Sequence, residues 1–433
     1  MPDDHRPLPS PPPARRLRYL AAVAAEAVGS GLYIPVSLLY FHHVTSISMP
    51  RIGTAMTLAA LLGLAVSPLA GTVIDRWGAR GAVVGGFVIR GVGFLTYPLI
   101  HDFWQVLLCA TLVAIGDRSF QASIQALVSE LARGAERDRL LASQYSLRNA
   151  GMGAGGLLAG LVLGADADWA YQSVVIGSGV GLSVAAALIA SLRMPARPTG
   201  PAPGARTHPD GGAAGYRAVL RDRPYLQLTA ANIPLALCYS SLSVILPVYV
   251  TQSLKASPSA PGLLFTLNTV VVALAQVPVT KALVRTRRTR AAALGGVVFA
   301  ASFACFGLLD PLGPSPWLYA GLALATLAYT CGELLHGTTS GALASDAAPE
   351  HMRGRYLSTY FLSWSIAKAA APALFTALLA ASTALTWTVL AAGVLIGSLA
   401  LLRVEPRLPA RAVHVTAPVP VPTETEGDLA RTP

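Results

Sequence analysis

The chain has 433 residues, of which 53% are apolar and only 12% charged, with a mean hydropathy of +0.55 and a net charge of +11. A soluble chain carries about twice that share of charge, so this composition excludes a disordered protein, a disulfide scaffold and an ordinary soluble enzyme. What remains is a membrane protein.

Residues 1–17 are rich in proline and lack a small-residue cleavage site, so they are expected to form a cytoplasmic tail rather than a leader. A helix needs about 20 apolar residues to cross roughly 30 Å of hydrocarbon. That ruler predicts twelve spans, over residues 18–40, 52–73, 81–100, 103–127, 140–164, 169–192, 225–250, 260–284, 291–309, 316–340, 356–380 and 384–402. Segments four and ten contain acids and are the least obvious by hydropathy. Residues 18–193 form one six-helix bundle and 225–403 the other. Between them, 194–224 holds six prolines and five glycines, the composition of a flexible cytoplasmic linker. Residues 404–433 are again proline-rich and are expected to be a disordered cytoplasmic tail. Cys109, Cys238, Cys305 and Cys331 each stand in an apolar run and are expected to be small buried residues.

The basic residues fall on one side of this arrangement. With the N-terminus inside, 26 of the 32 lie in cytoplasmic segments, two lie outside (Arg51, Lys255) and four lie within spans (Arg90, Arg118, Arg148, Lys368). This asymmetry is the topology signal of a multi-pass protein of the cell (cytoplasmic) membrane with both termini cytoplasmic. It accounts for the basic balance, so nucleic acid is not expected as a partner. The halves also repeat each other. Residues 129–142 align with 345–358 at an offset of 216, placing Glu130 on Asp346 and Arg139 on Arg355. Residues 33–36 (YIPV) meet 245–248 (ILPV) at an offset of 212. The expected fold class is all-α: twelve transmembrane helices in two pseudo-symmetric six-helix bundles.

Between spans two and three the chain reads Gly71-Thr-Val-Ile-Asp75-Arg76-Trp-Gly78-Ala-Arg80. The glycines permit a tight bend and close helix approach, and Asp75 can accept charge-assisted hydrogen bonds. The segment resembles the loop 2–3 signature of the major facilitator superfamily, G-x-x-x-D-R-x-G-x-R/K, at every fixed position. Its counterpart, Lys281 to Arg290, keeps the basic residues without the acid or the glycines. The resemblance covers about residues 17–403. In span four, Arg118-Ser-Phe-Gln121 is similar to the family's R-x-x-Q-G pattern, which is associated with proton coupling, although Ala122 stands where glycine is usual. In span five, Gly151-Met-Gly-Ala-Gly155-Gly156-Leu-Leu-Ala159-Gly160 resembles the antiporter signature G-x-x-x-G-P-x-x-G-G, with Gly156 replacing the proline and Ala159 a glycine. The same glycines also fit plain close helix packing. The resemblance implies a secondary active transporter of a small organic solute, proton-coupled efflux or alternatively uptake symport, and not an enzyme. It also implies that spans 1, 4, 7 and 10 line a central cavity.

Ionisable residues inside spans are costly and mark pathways or internal pairs. Glu26, Asp117, Arg118, Glu333 and His336 stand on the spans that the resemblance places around the cavity. Asp117 and Glu333 differ by the repeat offset of 216 and are expected at equivalent positions. These five form the candidate site for substrate and protons; the alternative is a structural pairing of Asp117 with a neighbouring arginine. Arg90, Arg148 and Lys368 are expected to pair internally. Gly71, Asp75, Arg76, Gly78 and Arg80, with the pairs Glu130/Arg139 and Asp346/Arg355, are expected to gate, latching the bundles on the cytoplasmic side when the cavity opens outward. No G-x-x-x-x-G-K loop and no metal-ligand spacing is present, so no cofactor and no metal is expected. A membrane-embedded enzyme would need an interfacial site and a sensor a soluble output domain; the linker and tails offer neither. The expected partners are therefore a small-molecule substrate, protons and the lipid bilayer, with the chain acting as a monomer.

Overall fold

Hydrocarbon offers no partner to a peptide group, so apolar runs of this length must close their hydrogen bonds internally as helices. The computed structural model describes residues 13–66, 69–132, 134–192, 213–313 and 315–414, and among them there is no strand. The first half comprises α1 (Pro13–Tyr33), which continues through a short 3₁₀ turn (Ile34–Val36) into α2 (Ser37–Val44), then α3 (Met49–Val66), α4 (Leu69–Thr96), α5 (Phe103–Leu131), α6 (Gly134–Leu163) and α7 (Asp168–Ala190). A short helix, α8 (Ala213–Arg221), precedes the second half. That half comprises α9 (Arg223–Tyr239) with α10 (Ser241–Val248), α11 (Ala260–Leu283), α12 (Arg288–Gly307), α13 (Pro316–Ala347), α14 (Arg353–Ala381) and α15 (Thr383–Val404).

Every predicted span falls on one of these rods, with α1/α2 and α9/α10 each forming one. Among the described residues ten helices are long and apolar enough to cross a membrane, and the pair α9/α10, bent by 45°, makes an eleventh. Hydropathy fails at α6, not at the acid-bearing α5 and α13. Its 30 residues are long enough, but they include Glu136, Arg137, Arg139, Gln144, Arg148 and Asn149. The predicted linker is corrected at its end: residues 193–212 lie outside the described residues, but 213–221 are helical. The C-terminal tail is likewise structured at its start. There α16 (Ala410–Val413) packs on α12 and α13 with Ala412 and Val413 buried, whereas 415–433 lie outside the described residues. Cys109 and Cys238 are buried as expected, but Cys305 is half-buried and Cys331 is exposed on α13.

Three tryptophans are exposed in the first turns of α5, α7 and α13 (Trp104, Trp169, Trp317), all on the face remote from the termini. An amphipathic ring at that level marks a bilayer interface. The two halves meet mainly through α3 against α14 and α6 against α11, and both crossings are tightest toward this remote face. Thr57 Oγ1 accepts a hydrogen bond from the Ala373 backbone N–H (3.0 Å), and Thr266 Oγ1 donates to the Gly153 carbonyl (3.1 Å). Nearer the remote face, α10 packs on α2 and on the turn before it. There Val248 joins the apolar core of the first half, and Ile34 packs on that of the second. The remote side is sealed by apolar contact.

The α6–α11 crossing depends on the absence of side chains. A Cβ on Gly262 would lie 2.5 Å from both the Gly156 carbonyl oxygen and the Gly160 nitrogen. These are backbone atoms that cannot rotate away, so the antiporter-like glycines are packing surface here. Gly262→Val is expected to cost at least the about 1–3 kcal/mol of an ordinary overpacked core. A thermal unfolding midpoint in detergent equal to that of the unsubstituted chain would contradict this packing.

Candidate functional site

Glu26 is buried midway along the first rod and is held by two arginines. Its Oε1 accepts from Ser30 Oγ (2.8 Å) and Arg90 Nη1 (3.2 Å), and its Oε2 lies 3.4 Å from Arg148 Nη1. Arg90, itself buried, also donates from Nη2 to Ser30 Oγ (3.0 Å), while its Nε finds no partner among the described residues. Arg148 lays its guanidinium over the Phe120 ring at 5.6 Å. Three helices, α1, α4 and α6, are thereby tied by one carboxylate.

Asp117, at the middle of α5, pairs across the interface between the halves. Its Oδ2 lies 3.5 Å from Lys368 Nζ on α14. The Lys368 side chain is 66% exposed and that of Asp117 23% exposed, at mid-span positions of both helices. Since each faces the other, that exposure is to the gap between the bundles and not to lipid. The alternative reading, a pairing of Asp117 with the neighbouring Arg118, is not formed. Adjacent helix residues point about 100° apart, and Arg118 forms no ion pair among the described residues. The side chains of Gln121 and Ala122 lie outside the described residues.

In the second half the chemistry is neutral around the acid. Glu333 Oε2 accepts from Asn268 Nδ2 (2.7 Å), which also donates to Thr330 Oγ1 (3.0 Å). Glu333 has no cationic partner among the described residues. His336, one turn on, is buried in a separate network. Its Nδ1 is 3.0 Å from the Tyr239 hydroxyl, and its Nε2 is 3.2 Å from Asn232 Oδ1, which also accepts from the Tyr360 hydroxyl (2.8 Å). The Tyr239 hydroxyl touches both systems, donating to the Glu333 backbone carbonyl at 3.1 Å.

At the face bearing the termini, Gly78 interrupts α4 with φ 76°, a left-handed conformation that glycine adopts without a steric penalty. The bend turns Arg80 so that Nη1 donates to the Leu192 carbonyl (2.6 Å) beyond the end of α7, where a cation complements the helix dipole. The second half solves the same problem with an acid: Glu405, after α15, accepts from Arg287 Nη1 (2.7 Å) and from the Thr289 hydroxyl. Asp346 pairs with Arg288 in its own half (2.5 Å). Arg76, Glu130 and Arg139 are exposed, and Arg355 is half-buried. Of Gly71 and Asp75 only the helical backbone is described.

The structure thus brings Glu26 and Asp117 to cations left out of the candidate set, and separates Glu333 and His336 from them. Arg90, Arg148 and Lys368 do pair internally, as expected, but with the candidate acids. The signal was arithmetic: four basic residues and three acids stand inside spans, so each acid had several cations to draw on. Removing one partner of a buried ion pair costs about 3–5 kcal/mol, so Arg90→Ala is expected to lower the unfolding midpoint sharply. An unchanged midpoint would show that Glu26 is satisfied without it.

The chain matches the Major Facilitator Superfamily over residues 19–372 and again over 228–427. It is 26% identical over 261 residues to the multidrug resistance protein MdtH of Aeromonas hydrophila, covering 60% of this chain and 63% of that protein. It is also 22% identical over 350 residues to a Na(+), Li(+), K(+)/H(+) antiporter of Planococcus maritimus, covering 74% and 79%. The match therefore spans somewhat less than two thirds of the Aeromonas relative. In fold it is similar to the nucleoside transporter NupG (D323A mutant; TM-score 0.73, 11% identity, 90% of this chain and 99% of that one). It is also similar to a POT family transporter solved with 5-aminolevulinic acid (TM-score 0.71, 14% identity, 90% and 96%). With the family matched over most of its length, and its loop signature bent at Gly78, the chain belongs to the Major Facilitator Superfamily.

Proposed function

We propose that the chain is a secondary active transporter that moves a small organic solute out of the cell by alternating access, driven by protons, with both termini in the cytoplasm. The observation that carries this reading is the partner of Glu333. Glu26 is held by two arginines, partners that can only donate. A carboxyl beside an amide is held differently, because the amide can donate through Nδ2 to the carboxylate or, flipped, accept through Oδ1 from the acid. Asn268 therefore serves Glu333 in both protonation states. A group that exchanges protons as the cavity changes sides needs such a partner. The names of the two relatives, a multidrug resistance protein and a cation/proton antiporter, support export and proton exchange.

On this reading the seal at the remote face makes the described conformation open toward the cytoplasm. The cytoplasmic charges (Asp75, Arg76, Arg80, Glu130, Arg139, Asp346, Arg355) would then latch the halves in the opposite state. Rim pairs of this kind contribute about 0–1 kcal/mol each, enough together to bias a balanced equilibrium.

Glu333→Gln is expected to abolish pH-gradient-driven accumulation in proteoliposomes while preserving exchange of preloaded solute, with the exchange rate now independent of pH. Full concentrative transport by this variant would overturn the assignment, and the gradient polarity that drives accumulation separates efflux from uptake. Asp75→Asn is expected to slow turnover and to raise labelling of single cysteines placed at the cytoplasmic ends of α5 and α13. Unchanged turnover and unchanged labelling would remove the latch.

A further inference from the structure

We infer that the cavity recognises a carboxylate-bearing organic anion, with Lys368 and Arg148 as the residues that hold its charged end. The inference rests on the reading of Glu333 as the proton carrier, because it is drawn from the charge balance that this reading leaves. Four cations stand inside the spans, Arg90, Arg118, Arg148 and Lys368, and the three arginines join Lys368 in acting on the charge of Asp117. Against them stand Glu26 and Asp117, and Glu333 as well on the outward step, when its proton has been given up. The site then carries one positive charge in excess.

The exposed part of the cluster is the cationic part. Glu26 is buried beneath its arginines, whereas Lys368 is 66% and Arg148 29% exposed. Among the described residues Lys368 makes a single, long polar contact, to Asp117 at 3.5 Å, and an ammonium has three donors to place. Arg148 gives Nη1 to Glu26 and a face to Phe120, which leaves further guanidinium N–H groups without a partner among the described residues. Both side chains thus present unspent donors toward the inter-bundle gap. A carboxylate is the group that accepts from them in charge-assisted geometry.

Closure sharpens the requirement. While the gap is open, water solvates the excess charge. Sealing the gap on both sides on that step without an anion would enclose an unpaired charge at mid-membrane depth, which is costly. Loading a carboxylate on Lys368 and Arg148 removes most of that penalty, so an anionic solute favours its own occlusion. A cationic solute would raise the excess and oppose closure. The substrate is organic because apolar side chains of both halves meet beside the gap, as at Ile34 and Val248.

The test uses the purified full-length chain in proteoliposomes under an imposed pH gradient, with 5(6)-carboxyfluorescein as the anionic probe and ethidium as the cationic one. The unsubstituted chain is expected to move carboxyfluorescein and not ethidium. Lys368→Gln is expected to lower that flux at least about tenfold, the weight of one charge-assisted hydrogen bond. Lys368→Arg, which keeps the charge, is expected to restore most of it. Equal carboxyfluorescein flux in Lys368→Gln and the unsubstituted chain would overturn the inference. Gradient-driven movement of ethidium without carboxyfluorescein would overturn it too, while leaving proton-coupled export standing. A chain that moves neither probe in response to the gradient overturns both.

Discussion

The structure depends on the cost of a bare charge in a low-dielectric interior. Insertion scales put a single charged side chain at the middle of a span at about 2.5–3.5 kcal/mol, and the first half carries five of them: Glu26, Arg90, Asp117, Arg118 and Arg148. Packing α1, α4 and α6 around Glu26 is the arrangement that lets one carboxylate offset two guanidinium groups. The same requirement draws Lys368 across the gap to Asp117. Helix order in the first half is therefore written in ion pairs as much as in apolar surface.

The two halves answer equivalent problems with different chemistry. At the face bearing the termini, Arg80 satisfies a bare carbonyl after α7, while Arg287 meets the Glu405 side chain after α15. At mid-depth the first half gathers its charges around Glu26, whereas the second, Lys368 apart, is built on hydrogen bonds among Asn232, Tyr239, Asn268, His336 and Tyr360. The repeat thus preserves where polar groups stand and not which groups they are. This explains why the Lys281 to Arg290 segment lacks the acid and glycines of its counterpart: the acid is supplied from Glu405, more than a hundred residues later in sequence.

Much of this was legible in the sequence. Span positions follow from apolar length, and the loop signature from Gly71 to Arg80 carries its bend in Gly78. What was not legible is pairing between helices. Asp117 and Arg118 are adjacent in sequence and so look like partners, but the helical turn sends them to different neighbours. Lys368 lies 251 positions away from Asp117 and becomes its partner only when the halves meet. Hydropathy misleads at α6 for a related reason. Arg148 depresses the apolar average of its helix, and it is tolerated because Glu26 on another helix takes up its charge.

The strength of the Asp117–Lys368 contact decides what it can do. A pair this exposed, at 3.5 Å, is screened by water and contributes about 0–1 kcal/mol. It cannot lock the halves together; the apolar seal at the remote face and the glycine crossing at Gly262 do that. It can shift the balance between two arrangements of nearly equal energy, because moving a two-state equilibrium tenfold takes only about 1.4 kcal/mol. The Glu26 pairs are the opposite case: they lie within one half around a buried carboxylate, and breaking them is costly. The fold therefore places its strong charge pairs inside a bundle, where they hold shape. Its weak one lies between bundles, where little energy is needed to part it.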